Sequence, residues 1–136
     1  MNTITYNSLP PQAKSIRIKI FMEEQGFENE FDEIDQTCKH IVCFDKDKAI
    51  GTCRFFKEDN HYTIGRVAVL MEYRKKHIGT LLVQTAEKEI KSLGGNTIVL
   101  HAQERVTLFY EKQGYKQYGE IDYDEGCPHK WMKKEV

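Results

Sequence analysis

Apolar residues recur along the chain with two periods, one typical of strands and one typical of amphipathic helices. Glycine, proline, asparagine and aspartate separate the segments, as is usual at turns and helix ends. The pattern predicts a strand at 3–6, a helix at 10–26, strands at 40–44, 50–56 and 62–70, a helix at 78–93, a strand at 97–100, a helix at 104–113, and two β-prone segments at 115–123 and 130–133.

One strand-helix-strand unit, over residues 62–100, lies within a chain that is otherwise rich in predicted hairpins. A crossover helix joins parallel strands and a hairpin joins antiparallel ones, so we expect an α+β fold with a mixed, mostly antiparallel sheet. The chain has no internal repeat and no Pro/Gly-rich linker, and its 136 residues suit one hydrophobic core. We therefore expect a single domain over residues 1–136.

The charge balance argues against a nucleic-acid partner, because 20 basic and 21 acidic residues leave a formal net charge of −1. No apolar run approaches the roughly 20 residues of a membrane span. Residues 1–5 lack the charged and apolar regions of a signal peptide. These features predict a cytoplasmic protein with no membrane partner.

The four cysteines, Cys38, Cys43, Cys53 and Cys127, are too sparse for a disulfide framework. Cys38, His40 and Cys43 have the residue types of a metal site, but no second cysteine pair accompanies them. Buried free cysteines behave as small hydrophobic residues. We favour this interpretation and predict no metal.

Three consecutive cations, Arg74, Lys75 and Lys76, stand where the strand at 62–70 gives way to a helix. The free N–H groups at a helix start, together with the positive end of its dipole, favour an anion. The arrangement predicts a binding site for a phosphorylated ligand.

Four blocks resemble the GNAT superfamily of acyl-CoA N-acyltransferases. Residues 74–79 (RKKHIG) are similar to the family's pyrophosphate loop, Arg/Gln-x-x-Gly-x-Gly/Ala, and residues 109–115 (FYEKQGY) to its F-Y-x-x-x-G-F/Y element. The first helix, over 17–25, and residues 126–129 (GCPH) resemble the small bacterial ElaA-like branch. The resemblance implies a three-layer α-β-α sandwich and acetyl-CoA as co-substrate.

The resemblance also implies which residues hold the coenzyme. The backbone of β-strand residues near 67–69 aligns the pantetheine arm, where two parallel strands splay apart in the family fold. The expected coenzyme-binding residues are Val67, Ala68, Val69, Arg74, Lys75, Lys76, His77, Ile78, Gly79, Thr80 and Phe109.

His77 departs from the family pattern, which has glycine at this position. Glycine allows close approach of the backbone to pyrophosphate. One interpretation is that His77 keeps a negative φ, donates through its N–H and contacts phosphate with its ring. The other is a tolerated surface histidine at the helix start.

Tyr110 is the expected acid that protonates the coenzyme A thiolate. A phenol with a pKa near ~10 holds its proton at neutral pH and still donates to a thiolate. Helical spacing alone favours a core aromatic residue beside Phe109, and the family resemblance favours the catalytic role.

His129, which we place in a turn entering the last strand, is the expected base for the acceptor amine. An ordinary histidine bonded to a neighbouring carbonyl is the alternative. His101, at the end of the central strand, is the competing base.

Arg66, His101 and Gln103 are the expected substrate-binding residues. Arg66 is a cation within a strand, which suits a clamp for an anionic group. A structural ion pair with an acid of residues 28–35 is the alternative.

These features predict an N-acetyltransferase in which a primary amine of a small molecule attacks the thioester directly, with no covalent enzyme intermediate. The alternatives are a non-catalytic acyl-CoA-binding module and a protein or peptide N-acetyltransferase. Neither G-x-x-x-x-G-K-[ST] nor G-x-G-x-x-G occurs, which argues against a nucleotide-binding protein. We expect a monomer or a homodimer.

Overall fold

The computed structural model describes residues 1–136 as seven strands and three helices joined by short turns. The strands are β1 (Asn2–Tyr6), β2 (Lys39–Asp45), β3 (Lys48–Glu58), β4 (His61–Val69), β5 (Thr97–Gln103), β6 (Lys116–Asp124) and β7 (Cys127–Glu135). The helices are α1 (Pro11–Arg17), continued by a π-helical segment (Ile18–Glu24), α2 (Ile78–Ser92) and α3 (Thr107–Glu111). Short 3-10 turns lie at Glu33–Gln36, Met71–Tyr73 and Glu104–Val106. This chain order confirms the predicted order of elements.

All seven strands form one sheet in the order β1-β2-β3-β4-β5-β7-β6. Only β4 and β5, which α2 connects, are parallel, and every other neighbouring pair is antiparallel. The prediction of a mixed, mostly antiparallel sheet is therefore confirmed.

Helices cover both faces of the sheet. Successive side chains of a strand point to opposite faces, so the contacts of neighbouring residues in β2 show which helix covers each face. Ile41 and Cys43 of β2 belong to the buried cluster that contains the apolar stripe of α2. The intervening Val42 packs instead with Ala13 of α1. The fold is thus a three-layer α-β-α sandwich, as expected. No helix combines the length and the apolar character that crossing a bilayer demands.

Several elements differ from the predicted ones. The first helix has the predicted extent, but its second half is π-helical, with the Gln25 N–H donating to the carbonyl of Ile20 at 3.1 Å. β5 and β7 extend beyond the predicted 97–100 and 130–133. The added residues include polar ones such as His101, Gln103 and His129, and a pattern of apolar positions does not mark such residues as part of a strand. His129 consequently lies inside β7, paired with Gln103, and not in a turn before the strand.

The parallel strands β4 and β5 separate after a short contact. Their paired residues are Tyr62 with Ile98 and Thr63 with Val99, although both strands continue well beyond them. A bulge at Arg66, with φ of 53°, bends β4 close to the point of separation. The splay that the family resemblance implied is therefore present, and it opens the sheet between the two strands.

Beside this opening, three arginines form ion pairs with three acids of the loop over residues 28–35. The arginines are Arg17, Arg54 and Arg66, and the acids are Glu30, Asp32 and Asp35. Arg17 donates to Glu30 at 2.8 Å and to Asp35 at 2.7 Å. Arg54 donates to the same Asp35 oxygen at 2.9 Å. Burial acts to raise the pKa of Asp35, but its hydrogen bonds with Arg17 and with the Asp32 backbone, and the two positive charges, hold it well below 3.8.

Replacement of Asp35 by asparagine is expected to lower the free energy of unfolding by about 3–5 kcal/mol, because buried guanidinium groups lose their partner. Because the folded-state pKa lies below the unfolded one, the stabilisation is present above about pH 4 and lost as the pH falls further. Urea denaturation at pH 7 and pH 3 measures both effects. Asp47→Asn, in an exposed hairpin turn, is the control, and an equal loss in both variants would contradict the prediction.

Candidate active site

A large cavity of about 970 Å³ runs along β4 between α2 and α3. Ten of the eleven predicted coenzyme-binding residues line it, which are Val67, Ala68, Val69, Arg74, Lys75, His77, Ile78, Gly79, Thr80 and Phe109. Lys76 does not line it; this exposed side chain lies with its ammonium 5.4 Å from the ring of Tyr73. The strand backbone and the helix start thus share one cavity.

The start of α2 forms the positive end of the large cavity. The first N–H groups of a helix have no partner within the helix, and Ile78, Gly79 and Thr80 all line the cavity. Arg74 is held by its own neighbours, because its Nε donates to the Val69 carbonyl at 3.0 Å and its two terminal nitrogens donate to Glu24. The arrangement fits a diphosphate group.

His77 has a left-handed backbone, with φ of 64° and ψ of 20°. The condition of a negative φ is therefore not met, and the histidine adopts the conformation that glycine adopts most readily. The turn itself explains the strain, since the chain must reverse within residues 74–77 to begin α2.

Replacement of His77 by glycine is expected to stabilise the fold by about 0.5–1 kcal/mol. A side chain in the left-handed region costs about 1–2 kcal/mol, and the greater entropy of glycine in the unfolded chain offsets part of the gain. The urea midpoint measures the change. Lys76→Gly, at an exposed neighbouring position without a positive φ, is the control and is expected to destabilise; a loss in both variants would disprove the interpretation of strain.

The two strongest motif blocks of the sequence meet at Gly79. A Cβ atom at this position would lie 3.1 Å from the Phe109 ring. The absence of a side chain at Gly79 therefore lets Phe109 of α3 pack closely against the start of α2, which narrows the large cavity on that side.

A small cavity of about 140 Å³ lies where β4 and β5 separate. It contains every predicted catalytic and substrate-binding residue, which are Tyr110, His129, Arg66, His101 and Gln103. Five residues line both cavities, namely Gln25, Val67, Arg105, Val106 and Tyr110. The large cavity, with the start of α2 in its wall, thus adjoins a small cavity that holds two imidazoles.

Tyr110 stands at the boundary of the two cavities on α3. Its side chain is buried, and its ring packs edge-on against Phe109 at 4.9 Å and Tyr115 at 6.0 Å. Burial, with a smaller contribution from Cys53, raises the pKa of Tyr110, so the phenol keeps its proton at neutral pH. The side chain is both part of the core and part of the cavity wall, so the two interpretations of the sequence are compatible.

The two histidines of the small cavity stack on each other, with ring centroids 4.6 Å apart. His129 Nδ1 lies 2.8 Å from the Cys127 carbonyl. Since a carbonyl only accepts, this nitrogen carries the proton in the neutral ring and Nε2 presents a lone pair. His101 Nε2 lies 2.6 Å from Asp122 Oδ1, so that nitrogen is occupied.

The predicted substrate contacts have partners within the protein. Arg66 donates to the Glu30 carbonyl at 3.2 Å and lies 3.0 Å from its carboxylate, which is the ion pair that the sequence allowed as an alternative. Gln103 donates to Gln25 at 2.8 Å and accepts from Arg105 at 2.9 Å. The substrate contacts of Arg66, His101 and Gln103 stay predictions.

Sequence reasoning missed three residues of this site. Gln25 and Arg105 border both cavities, and Asp122 bonds to His101. Arg105 lies two residues beyond the end of β5, so the general rule that strand ends carry site residues could have found it. For Asp122 no local signal exists, since it lies on an exposed edge strand.

Two of the three candidate metal residues of the sequence analysis lie together, and the third does not join them. Cys38 Sγ lies 3.3 Å from His40 Nε2, with Asp35 close by, whereas Cys43 packs in the core against α2. Arg17 and Arg54 occupy the Asp35 carboxylate, and burial raises the pKa of the Cys38 thiol to about 11. These donors are poorly suited to a cation.

The Acetyltransferase (GNAT) domain family matches residues 7–136 of the chain. The chain belongs to the GNAT acetyltransferase family. The resemblance noted from the motifs is thereby confirmed, and the protein is an acetyltransferase of a family that uses acetyl-CoA.

Individual GNAT relatives agree with this assignment. The Bacillus subtilis protein named uncharacterized N-acetyltransferase YjcF is 32% identical over 123 residues, covering 88% of each chain. Solved Escherichia coli ElaA is 24% identical, with a TM-score of 0.86 over 98% of each chain. A solved aminoglycoside 6′-N-acetyltransferase complexed with coenzyme A is 22% identical, with a TM-score of 0.80 over 99% of this chain and 97% of the other, and shares the fold.

Proposed function

We propose that this GNAT protein transfers the acetyl group of acetyl-CoA to a primary amine of a small molecule. The observation that carries the proposal is the junction of the two cavities at Tyr110, with an imidazole lone pair in the smaller one. An acyl donor and an amine approach each other at such a junction, which supplies proximity for direct attack.

The large cavity suits the coenzyme. The helix start, with Lys75 beside it, binds the diphosphate, and Arg74 exchanges its contact with Glu24 for a phosphate oxygen. The backbone of β4 beyond Thr63 has no partner from β5 and pairs with the pantetheine arm. Phe109 packs beside the arm.

The reaction needs two groups that move protons, a base for the acceptor amine and an acid for the leaving thiolate. His129 Nε2 takes one proton from the acceptor ammonium, and the free amine attacks the thioester carbonyl carbon. The C–S bond then breaks, and Tyr110 donates a proton to the leaving sulfur. The second proton of the attacking nitrogen returns to the Tyr110 phenolate, and His129 releases its proton to solvent. The products are an amide, free coenzyme A and one proton.

The size of the small cavity and the charges beside it suit a small amine as acceptor. The small cavity accommodates little more than an aminomethyl group and a few neighbouring atoms. It shares lining residues with an outer cavity of about 380 Å³, whose charged lining residues are the acids Glu24 and Glu125 and the cation Arg105. Carboxylates near the entrance suit acceptors with further positive charges, such as polyamines and aminoglycosides. Structural neighbours of this chain include aminoglycoside 6′-N-acetyltransferases, which supports testing that class first.

A free-thiol assay with acetyl-CoA and a panel of amines tests the proposal. The panel contains kanamycin, spermidine, lysine and a lysine-rich peptide, and thermal shift measures acetyl-CoA binding in parallel. We expect thiol release with a small amine and none with the peptide. Stabilisation by acetyl-CoA without turnover of any amine would favour the non-catalytic binding module, and peptide turnover alone would favour protein acetylation.

A further inference from the structure

Three aromatic rings form a column along β5 and β7 beside the small cavity. His101 lies in the middle, with its ring centroid 4.6 Å from His129 and 4.5 Å from Trp131. The planes are inclined by only 27° and 25°, so the rings are stacked. The position of the His129 ring therefore depends on where His101 is held.

Asp122 holds the middle ring from the edge strand β6. Its Oδ1 atom accepts from His101 Nε2 at 2.6 Å. The hydrogen bond from His101 is the largest cause that lowers the pKa of Asp122, so this exposed carboxylate is charged at neutral pH. Asp122 is also the cross-strand partner of His129 in the β6–β7 pair. One carboxylate is thus bonded to one imidazole and directly opposite the other.

The remaining charges at the small cavity are engaged elsewhere or oppose each other. Arg66 pairs with Glu30, and the Glu125 carboxylate accepts from the backbone N–H groups of Glu28 and Asn29. Arg105 adds a positive charge and Asp124 a negative one on the cavity wall. None of these groups bonds to the column of three rings, whereas the Asp122 carboxylate bonds to its middle ring.

We propose that Asp122 is a positioning residue for His129: it fixes the His101 ring on which His129 stacks, and its charge favours the proton that His129 accepts. The inference rests on the proposed function, in which His129 Nε2 deprotonates the acceptor amine. Asp122 touches neither substrate and acts through the two rings.

Histidine ring NMR of the full chain tests the proposal without any acceptor. Asp122→Asn keeps an oxygen that accepts from His101 but removes the charge. We expect the pH midpoint of the His129 ring signals to move to lower pH by about 0.5 unit, as a charge several ångströms away in a solvated site would produce. Glu120→Gln makes the same charge change on the same strand, at an exposed side chain that bonds to neither histidine, and should leave the midpoint in place. An unchanged midpoint in the Asp122 variant would overturn the proposal.

A second variant and an activity measurement separate this inference from the proposed function. His101→Phe keeps a stacking ring but loses the bond to Asp122, and should also shift the His129 midpoint. With the amine turned over fastest in the panel, Asp122→Asn should lower kcat several-fold and move the acidic limb of the pH profile to lower pH, with the KM for acetyl-CoA unchanged. If the wild type turns over no amine, the proposed function fails, whereas the NMR result still decides the role of Asp122.

Discussion

Replacement of Tyr110 by phenylalanine is expected to lower kcat by about 10²-fold or more, a typical contribution of a positioned acid, while acetyl-CoA binding survives. The phenol stands where the large and the small cavity meet, and burial raises its pKa, so it is protonated throughout the neutral range. Phenylalanine keeps the ring that packs against Phe109 and Tyr115 and removes only the hydroxyl.

Thiol release under saturating acetyl-CoA and calorimetric titration of acetyl-CoA measure the two effects of the Tyr110 substitution. The matched control is Tyr115→Phe, since Tyr115 is also buried and lines neither cavity, and its hydroxyl bonds to Glu87 at 2.7 Å. That variant should lose stability and retain turnover. A Tyr110 variant that turns over at the wild-type rate would show that another group protonates the thiolate.

Replacement of His129 by glutamine is expected to lower kcat/KM by about 10²- to 10⁴-fold. The reason is that Nε2 is the imidazole nitrogen left free in the small cavity, since Nδ1 donates to the Cys127 carbonyl. The acidic limb of the pH profile should disappear with the histidine, because the imidazole that remains in the small cavity, His101, has its Nε2 bonded to Asp122. His129 does not line the large cavity, so acetyl-CoA affinity should be unchanged.

The pH profile of kcat/KM, recorded with the best amine of the panel, checks the His129 prediction. His61→Gln is the control, since His61 lies at the start of β4, away from both cavities. His101→Gln decides between the two candidate bases. If that variant loses the acidic limb and the His129 variant retains it, the base is His101 and the assignment made here is wrong.

Local patterns determined most of the fold. Strand and helix periods, with turns at residues 45–48 and 59–60, predicted the order of elements and one parallel pair, because these features depend on neighbours in the sequence. The cations before α2 predicted an anion site for the same reason, since a helix start carries its own free donors. The residue types at 109–110 and 128–129 added the acetyltransferase resemblance, which the family match confirmed.

The tertiary structure alone decided the contacts between distant segments. Asp122 meets His101 across 21 positions of the chain, and Gln25 meets Gln103 across 78. The register of β5, β7 and β6 sets the first meeting and the packing of the first helix against β5 sets the second, and no local pattern encodes either. The conformation of His77 was also decided there, because the reversal before α2 imposes a left-handed backbone on a residue that does not favour one. The sequence therefore determined which chemical groups the protein carries, and the packing of distant strands determined which of them face one another.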